Sequence, residues 1–259
     1  MSEDLVHLDI AGGVATVTLD SPANRNALSR ALMAGLQASL DAALAADRAR
    51  LIVLTGAGPV FCSGADLKEQ RGVNEAGQGA GAGGLVSILK RIWHSPKPVI
   101  ARVGGPARAG GIGLVAACDI AVAVDSATFA FSEVRLGLIP AIISVVLVPK
   151  LGVTKAMELF LTGDTFDASE AARIGLLNAA VPADQLDATV GRYAGSLLKG
   201  SPAALAGCKR LVREVPGMDL DAAFALTSEL SAQYFASEEA REGMSAFVEK
   251  RPPRWAEGS

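Results

Sequence analysis

Leu5-Val6-His7-Leu8-Asp9-Ile10 and Val14-Ala15-Thr16-Val17-Thr18-Leu19 alternate apolar and polar residues on either side of Ala11-Gly12-Gly13. A period of two interrupted by glycines predicts a β-hairpin. Past the turn-forming Ser21-Pro22-Ala23-Asn24 the period lengthens: Leu32, Leu36, Leu40 and Leu44 recur at every fourth position and predict one apolar helix face. Leu51–Leu54, Pro98–Val103 and Ile120–Val124 are short apolar runs that read as buried strands. Strands alternating with helices define an α/β fold class.

From about residue 152 the pattern is helical. Asp167-Ala168-Ser169-Glu170 fits a capping box, with Asp167 accepting from the backbone and Glu170 reaching back, and Gly175 is placed to end that helix. Ser201-Pro202, Asp219 and Ser237 each predict a further helix start, and Leu226, Leu230 and Tyr234 share a face. The expected organisation is an α/β core over residues 1–200 followed by a helical region over 201–259, with no tandem repeat.

Composition narrows the class. Half of the 259 residues are hydrophobic but only 5% are aromatic, so the core is aliphatic, and a chain of this length needs no disulfide or metal to stabilise it. With 24 basic and 27 acidic residues the net charge is −3, which gives no basic stripe for nucleic acid or an anionic membrane. Cys62, Cys118 and Cys208 are odd in number and widely spaced, which fits neither a disulfide framework nor a zinc site and suggests a reducing cytoplasm. The first nine residues carry Glu3, Asp4 and Asp9 and lack a signal-peptide pattern. The uncharged stretch between Arg135 and Lys150 is too short to span a bilayer, contains Pro140 and Pro149, and reads as buried core. A soluble cytoplasmic protein is expected.

Candidate chemistry is sparse. Gly79-Ala80-Gly81-Ala82-Gly83-Gly84 matches G-x-G-x-x-G, but loop-forming residues precede it rather than a strand, so it reads as a surface loop. The two histidines, His7 and His94, lie far from any nucleophile motif, and no cluster has metal-ligand spacing. Two glycine-centred turns remain, Phe61-Cys62-Ser63-Gly64-Ala65-Asp66-Leu67 and Ala109-Gly110-Gly111-Ile112-Gly113, each following a strand and leading to a helical segment. On spacing alone, glycines here serve tight packing or close backbone approach to a ligand equally well.

Five segments in register resemble the crotonase, or enoyl-CoA hydratase/isomerase, superfamily. They are Asn24-Arg25-Asn26-Ala27-Leu28; Phe61 to Leu67; Lys97-Pro98-Val99-Ile100-Ala101 through Gly110-Gly111 to Cys118-Asp119-Ile120; Phe131-Ser132-Glu133-Val134-Arg135-Leu136-Gly137-Leu138-Ile139-Pro140; and Leu161-Thr162-Gly163-Asp164 with Gly175-Leu176-Leu177-Asn178. The C-terminal Ala246–Arg251 also looks familial. The resemblance implies a ββα spiral core holding an acyl-CoA thioester, with C-terminal helices that build homotrimers or hexamers. It implies an oxyanion hole from the N–H groups of Ala65 and Gly110, and no metal or redox cofactor, coenzyme A being part of the substrate.

Two glutamates serve the family's hydratases; here the matching positions are Gly113 and Glu133. Glu133 is therefore expected to act alone as acid and base, the competing reading being a surface ion pair with Arg135. Glycine at 113 is expected to leave room for water or a larger acyl group. Leu136-Gly137-Leu138-Ile139-Pro140-Ala141-Ile142-Ile143-Ser144 resembles a run in hydratases similar to methylglutaconyl-CoA hydratases, which favours hydration. A Δ3-Δ2-enoyl-CoA isomerase and a catalytically silent acyl-CoA binder are the alternatives. The matching segments imply substrate or CoA contacts for Arg25, Ala27, Ser63, Asp66, Lys68, Gly111 and Gly113, with Phe247 and Lys250 reaching a neighbouring subunit's nucleotide. Arg108 stands where an apolar residue is usual; an anion contact and a structural ion pair both fit it.

Overall fold

A computed structural model describes residues 4–69 and 82–256. Strands β1 (Val6–Ala11) and β2 (Val14–Leu19) form the hairpin, with Val6 opposite Leu19 and a two-residue turn in which Gly12 and Gly13 both take positive φ. From β2 the main sheet continues in parallel through β3 (Leu51–Gly56), β4 (Val99–Val103), β6 (Ile120–Val124) and β9 (Ala179–Val181). Three short strands, β5 (Ala107–Arg108), β7 (Thr128–Ala130) and β8 (Thr165–Asp167), make a second sheet.

Parallel neighbours need crossovers, and helices supply them. The predicted leucine stripe is α1 (Arg30–Ala45), capped by the Ser29 hydroxyl, with Leu32, Leu36 and Leu40 buried. It packs on β1 and β2, while α6 (Leu186–Leu198) packs on β3, β4 and β6. With cover on both faces, Leu51–Thr55 of β3 are all buried. Two further helices, α2 (Ala82–His94) and α4 (Ala141–Thr162), flank α3 (Gly110–Ala117), and all eight residues of α3 are buried, as an all-apolar helix requires. In α4 the helix bends at Gly152, three residues after Pro149.

The C-terminal helices are α7 (Pro202–Glu214), α8 (Leu220–Phe235) and α9 (Glu238–Glu249), capped as expected by Ser201, Asp219 and Ser237. The core holds α7 through Asp119, whose carboxylate accepts from Lys209 and Arg213, each at 2.7 Å.

Three expectations change. At α5 (Ala168–Arg173) Asp167 does cap Glu170 N, but the Glu170 side chain turns to Arg173 and Lys155 instead of reaching back. Charge-assisted pairs with two cations outcompete one backbone N–H. The run from Arg135 to Lys150 is not wholly core: Leu136, Leu138, Ile139 and Val145 are exposed, Ile139 at 76%. A 3₁₀ turn over Ser132–Leu136 and the outer face of α4 carry them past the core surface. The glycine-rich run read as a loop lies outside the described residues up to position 81; its last three residues open α2.

Candidate active site

Chain segments leaving the carboxyl ends of β3, β4 and β6 lie side by side, the position at which parallel α/β sheets bind ligands. Minimal parallel pairings hold them in order: Leu28 with Ala65, Cys62 with Ala107, and Ala107 and Arg108 with Phe129 and Ala130. Leu28 N donates to Gly64 O at 2.8 Å, Arg108 N to Cys62 O at 3.0 Å, and Ala109 N to Ala130 O at 3.3 Å. This ladder joins segments 24–28, 61–67, 106–113 and 130–136, which are distant in sequence.

Polar side chains fix the first of these loops. Asn26 is fully buried; its Oδ1 accepts from Ser21 N, and its Nδ2 donates to Ala57 O and Val60 O at 2.9 and 2.8 Å. Asn24 donates to Asp66, whose other oxygen accepts from the N–H groups of Lys68 and Glu69. These bonds hold the Asp66 carboxyl below its ordinary pKa, the Asn24 contact foremost. Asp66, read as a substrate contact, is thus committed to closing a turn. The Ser63 N–H is likewise spent on Arg25 O.

The glycines serve both purposes left open by their spacing. Gly64 has φ +87°, and a Cβ there would lie 2.9 Å from Ala109 Cβ. Gly111, expected at the substrate, is buried against Cys62, whose carbonyl oxygen would be 2.6 Å from its Cβ. Packing two loops this closely leaves their next N–H groups unspent: among the described residues neither Ala65 N nor Gly110 N has a hydrogen-bond partner. Gly110 is the first residue of α3, so its N–H sits at the positive end of the helix. Ala109 before it takes φ 47° and ψ −119°, a strained conformation for a residue with a side chain.

Glu133 lies in the Ser132–Leu136 turn directly after β7. Among the described residues its Oε2 is buried with no hydrogen-bond partner, and burial pushes its pKa up from the ordinary carboxylate value. The ion-pair reading fails because Arg135 pairs instead with Asp164, at 2.6 Å. The expected room at Gly113 is also absent. A Cβ at Gly113 would lie 2.4 Å from Ile143 Cγ2, so a side chain of α4 already fills that space.

The remaining positions divide by exposure. Ala27 is buried, whereas Arg25 and Lys68 are exposed near the first loop. Phe247 is 85% exposed on α9 and Lys250 caps its end at φ 55°, so within one chain both face outward. In the sequence Asn26 is marked only as an asparagine within the Asn24–Leu28 motif, and nothing marks Ile143 as the neighbour of Gly113. Among the described residues no group of three His, Cys, Asp or Glu could hold a metal ion, and no helix is long and apolar enough to cross a membrane.

Residues 9–258 match the family model described as enoyl-CoA hydratase/isomerase. The chain is 36% identical over 248 residues to human enoyl-CoA hydratase domain-containing protein 3, mitochondrial, covering 94% of this chain and 81% of that protein. It is 35% identical over 248 residues to enoyl-CoA hydratase EchA19 of Mycobacterium tuberculosis, covering 94% and 93%. A crystal structure of an enoyl-CoA hydratase from Shewanella pealeana superposes with a TM-score of 0.92 at 32% identity, covering 97% and 96%.

Proposed function

The chain belongs to the enoyl-CoA hydratase/isomerase family, and from that premise we propose that it adds water across the 2,3 double bond of an enoyl-CoA thioester. The observation that carries this reading is the Glu133 carboxylate, whose buried oxygen has no partner among the described residues and which lies on the same strand ladder as two N–H groups unspent among them.

The chemistry follows from charge. Attack of water at the β-carbon of an α,β-unsaturated thioester moves an electron pair onto the carbonyl oxygen. Preorganised N–H donors at Ala65 and Gly110 stabilise that enolate more than the neutral carbonyl, and removing one such donor typically costs about 10²–10³ in rate. Ionised Glu133 takes a proton from the attacking water and returns it to the α-carbon, so the carboxylate ends each turnover as it began. Its raised pKa suits both halves of that transfer.

A Δ3-Δ2-enoyl-CoA isomerase is the second reading, favoured by the filled space at Gly113, which leaves Glu133 without a second carboxylate at that position. Following the enoyl-thioester absorbance with crotonyl-CoA and longer enoyl-CoAs separates the two. Formation of a 3-hydroxyacyl-CoA supports hydration; turnover only from a 3-enoyl isomer supports isomerisation; binding without turnover across the panel defeats both.

We further propose a homotrimer, or a pair of trimers. Leu220, Phe224, Phe235, Phe247 and Val248 are large, apolar and exposed on α8 and α9, more than an isolated chain ordinarily leaves to water. A neighbouring subunit would bring Phe247 and Lys250 to the coenzyme A nucleotide. Cys62, Cys118 and Cys208 are free thiols, in keeping with a reducing compartment such as the cytoplasm.

A further inference from the structure

Arg108 immediately precedes the second donor loop, yet the proposed chemistry does not use it. Its guanidinium is half-buried, and its partners among the described residues are uncharged: Nη1 donates to Ala107 O at 2.9 Å and to Thr128 O, and Nη2 donates to Thr128 Oγ1 at 2.8 Å. Burying a cation without a counter-ion is costly, and burial indeed pulls this group below the ordinary arginine pKa. The side chain runs back to Thr128, at the start of β7, and away from Glu133 beyond that strand's end.

The bonds fall where the backbone needs them. Strands β5 and β7 share only two paired positions, Ala107 with Phe129 and Arg108 with Ala130. One residue later Ala109 holds its strained φ of 47° and ψ of −119°, and the next N–H is the Gly110 donor. So short a ladder, held by its own hydrogen bonds alone, is a weak restraint on a strained residue. The planar fork of arginine adds bonds to both strands at once, which a lysine ammonium cannot match in geometry. Cys62 approaches β5 from the other side, so the clamp also fixes the distance between the two donor loops.

We propose that Arg108 is a positioning residue: by stapling β5 to β7 it holds Ala109 in its strained conformation and so aims the Gly110 N–H at the thioester oxygen. This rests on the hydratase reading of the same site. A misaimed donor weakens rather than vanishes, so the loss should be smaller than for deleting the donor.

The test uses purified full-length Arg108→Lys, Arg108→Met, Thr128→Val and the double variant Arg108→Met/Ala109→Gly, with crotonyl-CoA as substrate. We expect both Arg108 variants to lower kcat by about 10- to 100-fold, with KM within about threefold. Thr128→Val should give a smaller loss. Glycine adopts this backbone conformation without strain, so Ala109→Gly should restore much of the kcat lost in Arg108→Met. An independent readout is the carbonyl stretch of bound ¹³C-labelled butyryl-CoA, which should shift towards its free-solution frequency in the Arg108 variants. Wild-type kcat in Arg108→Lys, a rise in KM alone, or an unchanged carbonyl band would overturn the proposal. If Arg108→Met does not fold, Arg108→Lys and Thr128→Val decide it. If the wild type itself turns over no enoyl-CoA, the hydratase reading fails, and the carbonyl band still decides the role of Arg108.

Discussion

Glu133 combines two properties that rarely coexist on one carboxylate: an oxygen withdrawn from water and, among the described residues, no cation beside it. Glu133→Gln keeps the shape and removes the proposed base, so turnover should fall by about 10²–10⁴ while acyl-CoA binding, followed by calorimetry, changes little. In wild type the acid limb of the kcat/KM profile should have its midpoint above the ordinary glutamate value, and this limb should be absent from whatever activity the variant retains. Stability follows with a definite sign. A carboxylate whose folded pKa is raised binds more protons folded than unfolded between its two pKa values, so this group's contribution falls as pH rises through that window. Denaturant melts should show that fall flattened in Glu133→Gln. For the proposed donors, Gly110→Pro deletes the N–H and should cost about 10²–10³ in kcat. Gly110→Ala is the control, because it keeps the N–H while adding a Cβ 2.8 Å from Leu28 Cδ1. A larger loss in Pro than in Ala, with unchanged circular dichroism, isolates the donor. The roles proposed for Glu133, Ala65 and Gly110 rest on motif resemblance; the unpartnered oxygen has no sign in the sequence, where Arg135 stands two positions from Glu133 and its actual partner Asp164 lies 29 positions away.

At the scale of elements, α3 and α4 meet where Gly113 accepts Ile143. Gly113→Glu should therefore destabilise by overpacking, by about 1–3 kcal/mol or more once the buried charge is included. Ile143→Ala alone should cost about 2–5 kcal/mol through the cavity it leaves. Together they should cost less than their sum, a coupling measurable by a double-mutant cycle in urea. Simple additivity would mean that the two side chains do not compete for the same space. Strands and helices were largely legible because periodicity and caps are local: the hairpin, the leucine stripe of α1 and the caps at Ser201, Asp219 and Ser237 all follow from neighbouring residues. The second sheet was not. Strands of two or three residues have no measurable period, and their pairing is fixed by partners far along the chain. The exposed skin of Leu136, Leu138, Ile139 and Val145 was missed for the converse reason, since an apolar run reads as core wherever it lies.

For the whole molecule, the apolar faces of α8 and α9 set the expectation. Light scattering at micromolar concentration should give a trimer or hexamer, and Phe224→Asp or Phe247→Asp should shift it towards the monomer. If coenzyme A binding also needs a neighbour's Phe247 and Lys250, dilution to the monomer should raise KM before it lowers kcat. A monomeric wild type would remove both residues from the site.

The contact between Gly113 and Ile143 also bears on what mutation can reach. A carboxylate introduced at position 113 meets a filled space, and trimming Ile143 first opens a void with nothing to fill it. Either single step passes through a less stable protein, and natural proteins hold only a small stability margin. The pair acts as a ratchet: while isoleucine stays at 143, substitutions elsewhere around Glu133 are more accessible than a second carboxylate at 113.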